Sequence, residues 1–193
     1  ASRDMSSVNL DAHNEYLKGR FFVEKRTKKD LEKALEHFDN AIELADDYAP
    51  AWMGKAWASL FLSENQYGNT LPDIALSNAR PAAEKALQLD PELPEAHAIM
   101  GLVEGDDGEE EKAIAYFQTA ITLNPNYADA YFWSSLHSGS DGFAHIEKAI
   151  QLNPMSIIIN NGYGQLLQQN QIFKEAVAVA QHMPSSYNHL LAS

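Results

Sequence analysis

Ala86-Leu87-Gln88-Leu89-Asp90-Pro91 and Ala120-Ile121-Thr122-Leu123-Asn124-Pro125 are one phrase written twice, 34 residues apart. Each gives an alanine, a branched aliphatic residue, any residue and a leucine, then a helix stop. The phrase recurs at Ala149-Ile150-Gln151-Leu152, before Asn153-Pro154, and at Ala41-Ile42-Glu43-Leu44, where the stop is degenerate (Ala45-Asp46). Proline ends a helix because it has no amide hydrogen and its ring crowds the preceding turn. A fixed phrase returning every few dozen residues marks a stack of supersecondary units. Stacked helical units present extended binding surfaces and no enclosed reaction centre.

The spacings between the four alanines are 45, 34 and 29 residues. Residues 94–127 form the cleanest unit, with Pro94-Glu95-Ala96-His97, then Gly101, Ala113, Phe117, Ala120 and Pro125. Small residues are needed where two helices cross, so Gly101 and Ala113 are expected to face one another, with Phe117 in the layer beneath. The same frame places small residues at Gly19, Ala56, Ser135 and Gly164 in first helices, and at Ala34, Ala79, Gly142 and Ala176 in second helices. It predicts helices at about 10–26 and 28–45, 49–63 and 72–89, 94–105 and 109–123, 128–138 and 142–152, and 157–169 and 172–182.

Over most of residues 11–183 these registers resemble the tetratricopeptide repeat (TPR) family. The resemblance implies an all-α, TPR-type α-solenoid of about five helical hairpins in a right-handed superhelix. The hairpins would span about 10–45, 49–89, 94–123, 128–152 and 157–182, between a flexible lead (1–9) and a C-terminal tail (184–193). The second repeat exceeds the period by eleven residues, assigned to a loop near Ser63–Thr70, and the fourth falls five short at Ser138-Gly139-Ser140-Asp141-Gly142. Tyr16-Leu17-Lys18-Gly19-Arg20-Phe21-Phe22, Ala34-Leu35-Glu36-His37-Phe38 and Ala79-Arg80-Pro81-Ala82-Ala83-Glu84-Lys85-Ala86 look like a bacterial subtype. That subtype accompanies winged-helix regulators, nucleotide cyclases and protein kinases, which implies a sensory or protein-binding segment of a signalling protein.

Composition agrees with a folded, non-catalytic binding module. Hydrophobic residues make up 45% of the 193, and 27 acidic against 14 basic residues leave a formal charge of −13. So acidic a chain repels phosphate backbones and anionic headgroups, which argues against nucleic-acid or membrane-surface binding by this segment. Without cysteine there is no disulfide or thiolate chemistry, and the compartment, bacterial cytoplasm or periplasm, stays open. No apolar run reaches the ~20 residues of a membrane span. The opening Ala1-Ser2-Arg3-Asp4, with no initiator methionine, leads us to expect a segment of a longer protein.

In TPR proteins the first helix of each hairpin lines the concave face, and residues three and four apart share one stripe. The resemblance therefore projects a peptide-binding groove from Tyr16, Arg20, Met53, Trp57, Ala98, Leu102, Phe132, Leu136, Asn161 and Gln165. Tryptophan, tyrosine and arginine are frequent interface anchors, and an apolar, aromatic middle suits an amphipathic helix. Trp57 and Phe132 are the expected anchors, so truncating Trp57 is expected to weaken binding and leave melting near wild type. A protein or peptide partner, or a small apolar ligand in the groove, is expected, with the chain a monomer or weak homodimer. A rival expectation is a self-associating envelope scaffold, in which a second copy would bury Val177, Val179 and Leu190.

Other chemistries find little support. Capture of a C-terminal carboxylate would use Tyr16, Arg20, Gly54, Glu95 and Ile99, where only Arg20 is cationic and Glu95 repels. The histidines (His13, His37, His97, His137, His145, His182 and His189) lack the paired spacing of a zinc site. Glu104-Gly105-Asp106-Asp107-Gly108-Glu109-Glu110-Glu111 lacks the alternation of a calcium loop, and its acids suit the start of the following helix. No nucleophile elbow, P-loop or dinucleotide glycine pattern occurs, and no cofactor is expected. Gly162-Tyr163-Gly164 reads as a close-packing site, and the amides from Asn160 to Gln171 as a patch able to bond a peptide backbone.

Overall fold

The computed structural model describes residues 9–63, 70–138 and 142–169, and all its regular structure there is helical. The helices are α1 (Leu10–Val23), α2 (Lys28–Leu44), α3 (Ala49–Phe61), α4 (Pro72–Leu89), α5 (Pro94–Asp106), α6 (Glu110–Leu123), α7 (Ala128–His137), α8 (Gly142–Leu152) and α9 (Ile157–Gln169). They fall where the repeated phrase predicts, to within a turn. The expected helix at 172–182, with Ala176, Val177 and Val179, lies outside the described residues, as do 64–69 of the long loop. The chain forms two compact units, Ala1–Leu123 and Asn124–Ser193.

Local chemistry sets the helix ends. Asn9 caps α1, its side-chain oxygen accepting from the amides of Asp11 (3.1 Å) and Ala12 (3.3 Å). Its amide nitrogen donates to the carbonyl of Leu44 at 2.8 Å, tying the start of α1 to the end of α2. Thr27 caps α2 by accepting from the Asp30 amide, while its hydroxyl donates to the Asp30 carboxylate. In α3, α4 and α5 a proline in the first turn replaces the side-chain cap, where its missing N–H costs nothing. Between α5 and α6 the backbone turns at Gly108, whose φ of +80° is a conformation glycine adopts freely. The acidic stretch is thus a helix end followed by the first turn of the next helix. Among the described residues no group of three or more His, Asp or Glu side chains could hold a metal ion.

In the first unit α1 packs on α2, α3 on α4 and α5 on α6, and each hairpin packs on the next. One core cluster joins Tyr16, Leu31, Ala34, Phe38, Met53 and Phe61; another joins Ala56, Leu60, Ala79, Ala83, Ile99 and Val103. The glycines serve large rings. A methyl group at Gly101 would lie 2.6 Å from Phe117, so the phenylalanine ring is what Gly101 makes room for. Phe38 is gripped twice: a methyl at Gly19 of α1 would come within 2.6 Å of its ring, and one at Gly54 of α3 closer still.

A buried charge ties the second hairpin to the third. Glu104 accepts from Arg80 at 2.5 Å, Arg80 also donates to Asp107 at 2.6 Å, and Lys112 lies 3.8 Å from Glu104. In the second unit α8 and α9 pack with α7. Ser135 and Gly142 do meet: a methyl at Gly142 would lie 2.5 Å from the Ser135 carbonyl oxygen. Buried Ser134 is 2.9 Å from Nδ1 of His145, a bond between α7 and α8. Gly162 packs against Phe132, whereas a would-be methyl at Gly164 meets nothing within 4 Å among the described residues.

Candidate interaction surface

The first helices of the first unit bring three of the projected residues together. Arg20, Met53 and Trp57 line one small concavity with Val23, Glu24, Phe38 and Gly54. Sequence spacing dictates this: Arg20 follows Gly19 on α1, and Met53 and Gly54 precede Trp57 by one turn on α3. Close approach of the helices at Phe38, allowed by the two glycines, places the α1 cation beside the α3 indole.

These residues differ in what they can offer a partner. Arg20 is exposed, its guanidinium 5.9 Å from the centre of the Tyr16 ring. Trp57 is half-buried, its ring 5.6 Å from Phe61, and it packs against both core clusters. Met53 is buried at the base. Tyr16 is buried as well, edge-on to Tyr48 at 5.6 Å and tilted against Phe38 at 6.1 Å. Burial raises the Tyr16 hydroxyl above its ordinary pKa and pushes that of Tyr48 up to about 12. Both therefore stay neutral donors at physiological pH. Ala98 is fully buried, and Leu102 is half-buried against the second cluster.

Of the second-unit residues in the projected set, Leu136 on α7 and Asn161 and Gln165 on α9 are exposed. Phe132 is only 8% exposed, because its ring lies over Gly162. The stripe rule overstated exposure. Met53, Ala98 and Phe132 are packing residues, and Trp57 is partly one. A helix clasped by neighbours on two sides buries more than half its circumference, which periodicity alone does not reveal.

A second feature escaped the stripe rule. Glu15 accepts from Lys18 at 2.6 Å and from His37 at 2.7 Å, and these hydrogen bonds, that from Lys18 first, hold its pKa down at about 2. His37 in turn stacks on Phe22 (5.3 Å, 8° between planes). Lys25 lies 4.4 Å from the Phe21 ring centre and Lys33 5.2 Å from that of Phe22. The signal was available in the sequence: seven of the 14 lysines and arginines fall between residues 18 and 33. The net charge of −13 masks it by averaging.

Comparison with known proteins agrees with the fold and narrows the class. Residues 94–127 match the tetratricopeptide repeat. The transcriptional regulator HilA of Salmonella paratyphi A is 25% identical over 159 residues, as is HilA of Salmonella typhimurium. That match takes in 79% of this chain and spans 28% of the regulator's length. Among solved structures, a thermophilic TPR protein of Thermus thermophilus superposes with a TM-score of 0.67 at 20% identity, over 82% of each chain. PilF of Pseudomonas aeruginosa gives 0.64 at 16% identity, over 90% of this chain and 75% of its own. MamA gives 0.53 at 25% identity, over 81% and 88%. The fold is thus that of tetratricopeptide-repeat proteins, and the third hairpin matches the repeat itself.

Proposed function

We propose that this chain is the partner-binding segment of a bacterial regulatory protein, non-catalytic in itself. The observation that carries the reading is the HilA match, which runs through 79% of the chain yet occupies 28% of a transcriptional regulator. A TPR segment inside a regulator has an evident task, to bind a protein and pass its presence on to the rest of the molecule. In the first unit the contact would centre on Arg20 and Trp57 around their concavity, with Met53 as its floor. In the second it would use the exposed Leu136, Asn161 and Gln165. Arginine and tryptophan supply anchors, and the amides bond a peptide backbone.

Photo-crosslinking residues at Arg20, Trp57 and Gln165, placed singly in the full-length protein in its own cells, test this. The expected result is a discrete protein adduct from these sites and none from Gln88, an exposed position on α4. No adduct from any of the three, or equal labelling from Gln88, would refute the assignment.

A further inference from the structure

The second half of α1, the turn after it and the start of α2 break three local rules between residues 17 and 29. Arg26 adopts a left-handed backbone (φ 48°), a conformation that glycine or asparagine fills at less cost. Lys28 and Lys29 occupy the first turn of α2, where the helix dipole is positive and cations are disfavoured. Leu17 and Phe21, one turn apart on α1, are 46% and 60% exposed. Sequences that violate local preference commonly do so where function requires it. One contact joins cation to exposed apolar surface here: the Lys25 ammonium lies 4.4 Å from the centre of the Phe21 ring. Residues 18–33 hold seven cations against three acids in a chain that is otherwise strongly acidic. Lys28 and Lys29 are exposed and have no ion pair among the described residues, while Lys25 reaches Asp30 only at 4.0 Å.

We propose that this end of the first hairpin docks an acidic polypeptide segment with apolar side chains on one face. Phe21 and Leu17 would take the apolar face, and Lys25, Lys28 and Lys29 the carboxylates. The proposal rests on the reading that the chain binds proteins, and adds a site outside the concavity at Arg20 and Trp57. Charge complementarity selects the partner. A duplex or a lipid surface presents negative charge to the whole acidic body and is repelled by most of it. A polypeptide segment meets only the basic end, and screening over ~8 Å hides it from the remaining acids. The phosphate backbone of a duplex, moreover, offers nothing to Phe21. The positive end of the α2 dipole adds attraction of the same sign.

The test uses fluorescence anisotropy of a labelled amphipathic helix, with glutamate and aspartate on one face and leucine and phenylalanine on the other. It should bind the full chain with an affinity that falls as salt rises. The Lys28→Glu/Lys29→Glu pair should weaken it at least ten-fold, and Phe21→Ser several-fold. The lysine pair should melt no lower than wild type, since acids suit the first turn of α2. No binding, or equal binding to the lysine pair, overturns the proposal. So does tighter, Lys28/Lys29-dependent binding of duplex DNA or phosphatidylserine vesicles, which would assign the surface to phosphates. If the peptide fails while crosslinks at Arg20 or Trp57 still trap a protein, this inference falls and the proposed function stands.

Discussion

Replacing Gly19 by alanine should change sign as a stability effect according to what stands opposite it. The added methyl would lie 2.6 Å from the Phe38 ring, about 1 Å inside the optimal carbon–carbon separation. Relieving that overlap requires α1 or the ring to shift, and overpacking of this kind costs about 1–3 kcal/mol. Against it stands the gain of about 1 kcal/mol from alanine over glycine in a helix. Gly19→Ala should therefore destabilise the wild type by up to about 2 kcal/mol. Phe38→Ala alone should cost about 3–5 kcal/mol, towards the upper end, because the helix backbones at Gly19 and Gly54 cannot collapse into the space. In that background Gly19→Ala meets no ring and should stabilise by about 1 kcal/mol. The coupling between the two sites is then about 1–3 kcal/mol. Urea unfolding followed by circular dichroism reads all four corners of the cycle. Equal Gly19→Ala effects with and without the ring, or a stabilised single mutant, would refute the assignment of Gly19 as the seat of Phe38.

Arg80→Ala should destabilise by about 3 kcal/mol, because it leaves Glu104 buried with only distant Lys112; Arg80→Ala with Glu104→Leu should recover much of this in the same assay. Glu15 has a folded pKa of about 2, below its ordinary 4.5, so its bonds to Lys18 and His37 stabilise above pH 4.5 and are lost as pH falls towards 2. Melting temperature against pH should fall less steeply through that window in Glu15→Gln than in wild type; parallel curves would disprove it. Gly164→Ala, whose methyl meets nothing within 4 Å among the described residues, should raise stability by up to about 1 kcal/mol, whereas Gly162→Ala should lower it by forcing Phe132 aside. Trp57→Ala, half-buried against two clusters, should lower melting measurably, so its effect on partner binding must be judged per folded molecule.

The alanine phrases and their Asp-Pro and Asn-Pro stops made the helix positions legible, because periodicity and breakers act locally. Which small residue meets which ring was harder to foresee. Gly54 carries no local sign of a packing position, since its partner, Phe38, belongs to the preceding hairpin. Exposure was misjudged for the same reason: the α9 glycine that buries Phe132 lies 30 residues further along the chain. The basic end escaped because charge was weighed over the whole chain, and the strain at Arg26 has no signature short of its backbone angle.

Phe38 has a consequence for how the first unit can be taken apart. By sequence the residue closes hairpin one, yet α3 of hairpin two supplies one of the two bare backbones that hold it. The boundary of the repeat and the boundary of the cooperative unit therefore do not coincide. Cutting the chain between Leu44 and Ala49 would leave an upstream fragment with half its main ring uncovered, and a downstream one with an empty backbone groove at Gly54. Neither should fold as an independent module, so deleting or transplanting whole repeats will preserve stability only where the ring and both of its glycines travel together.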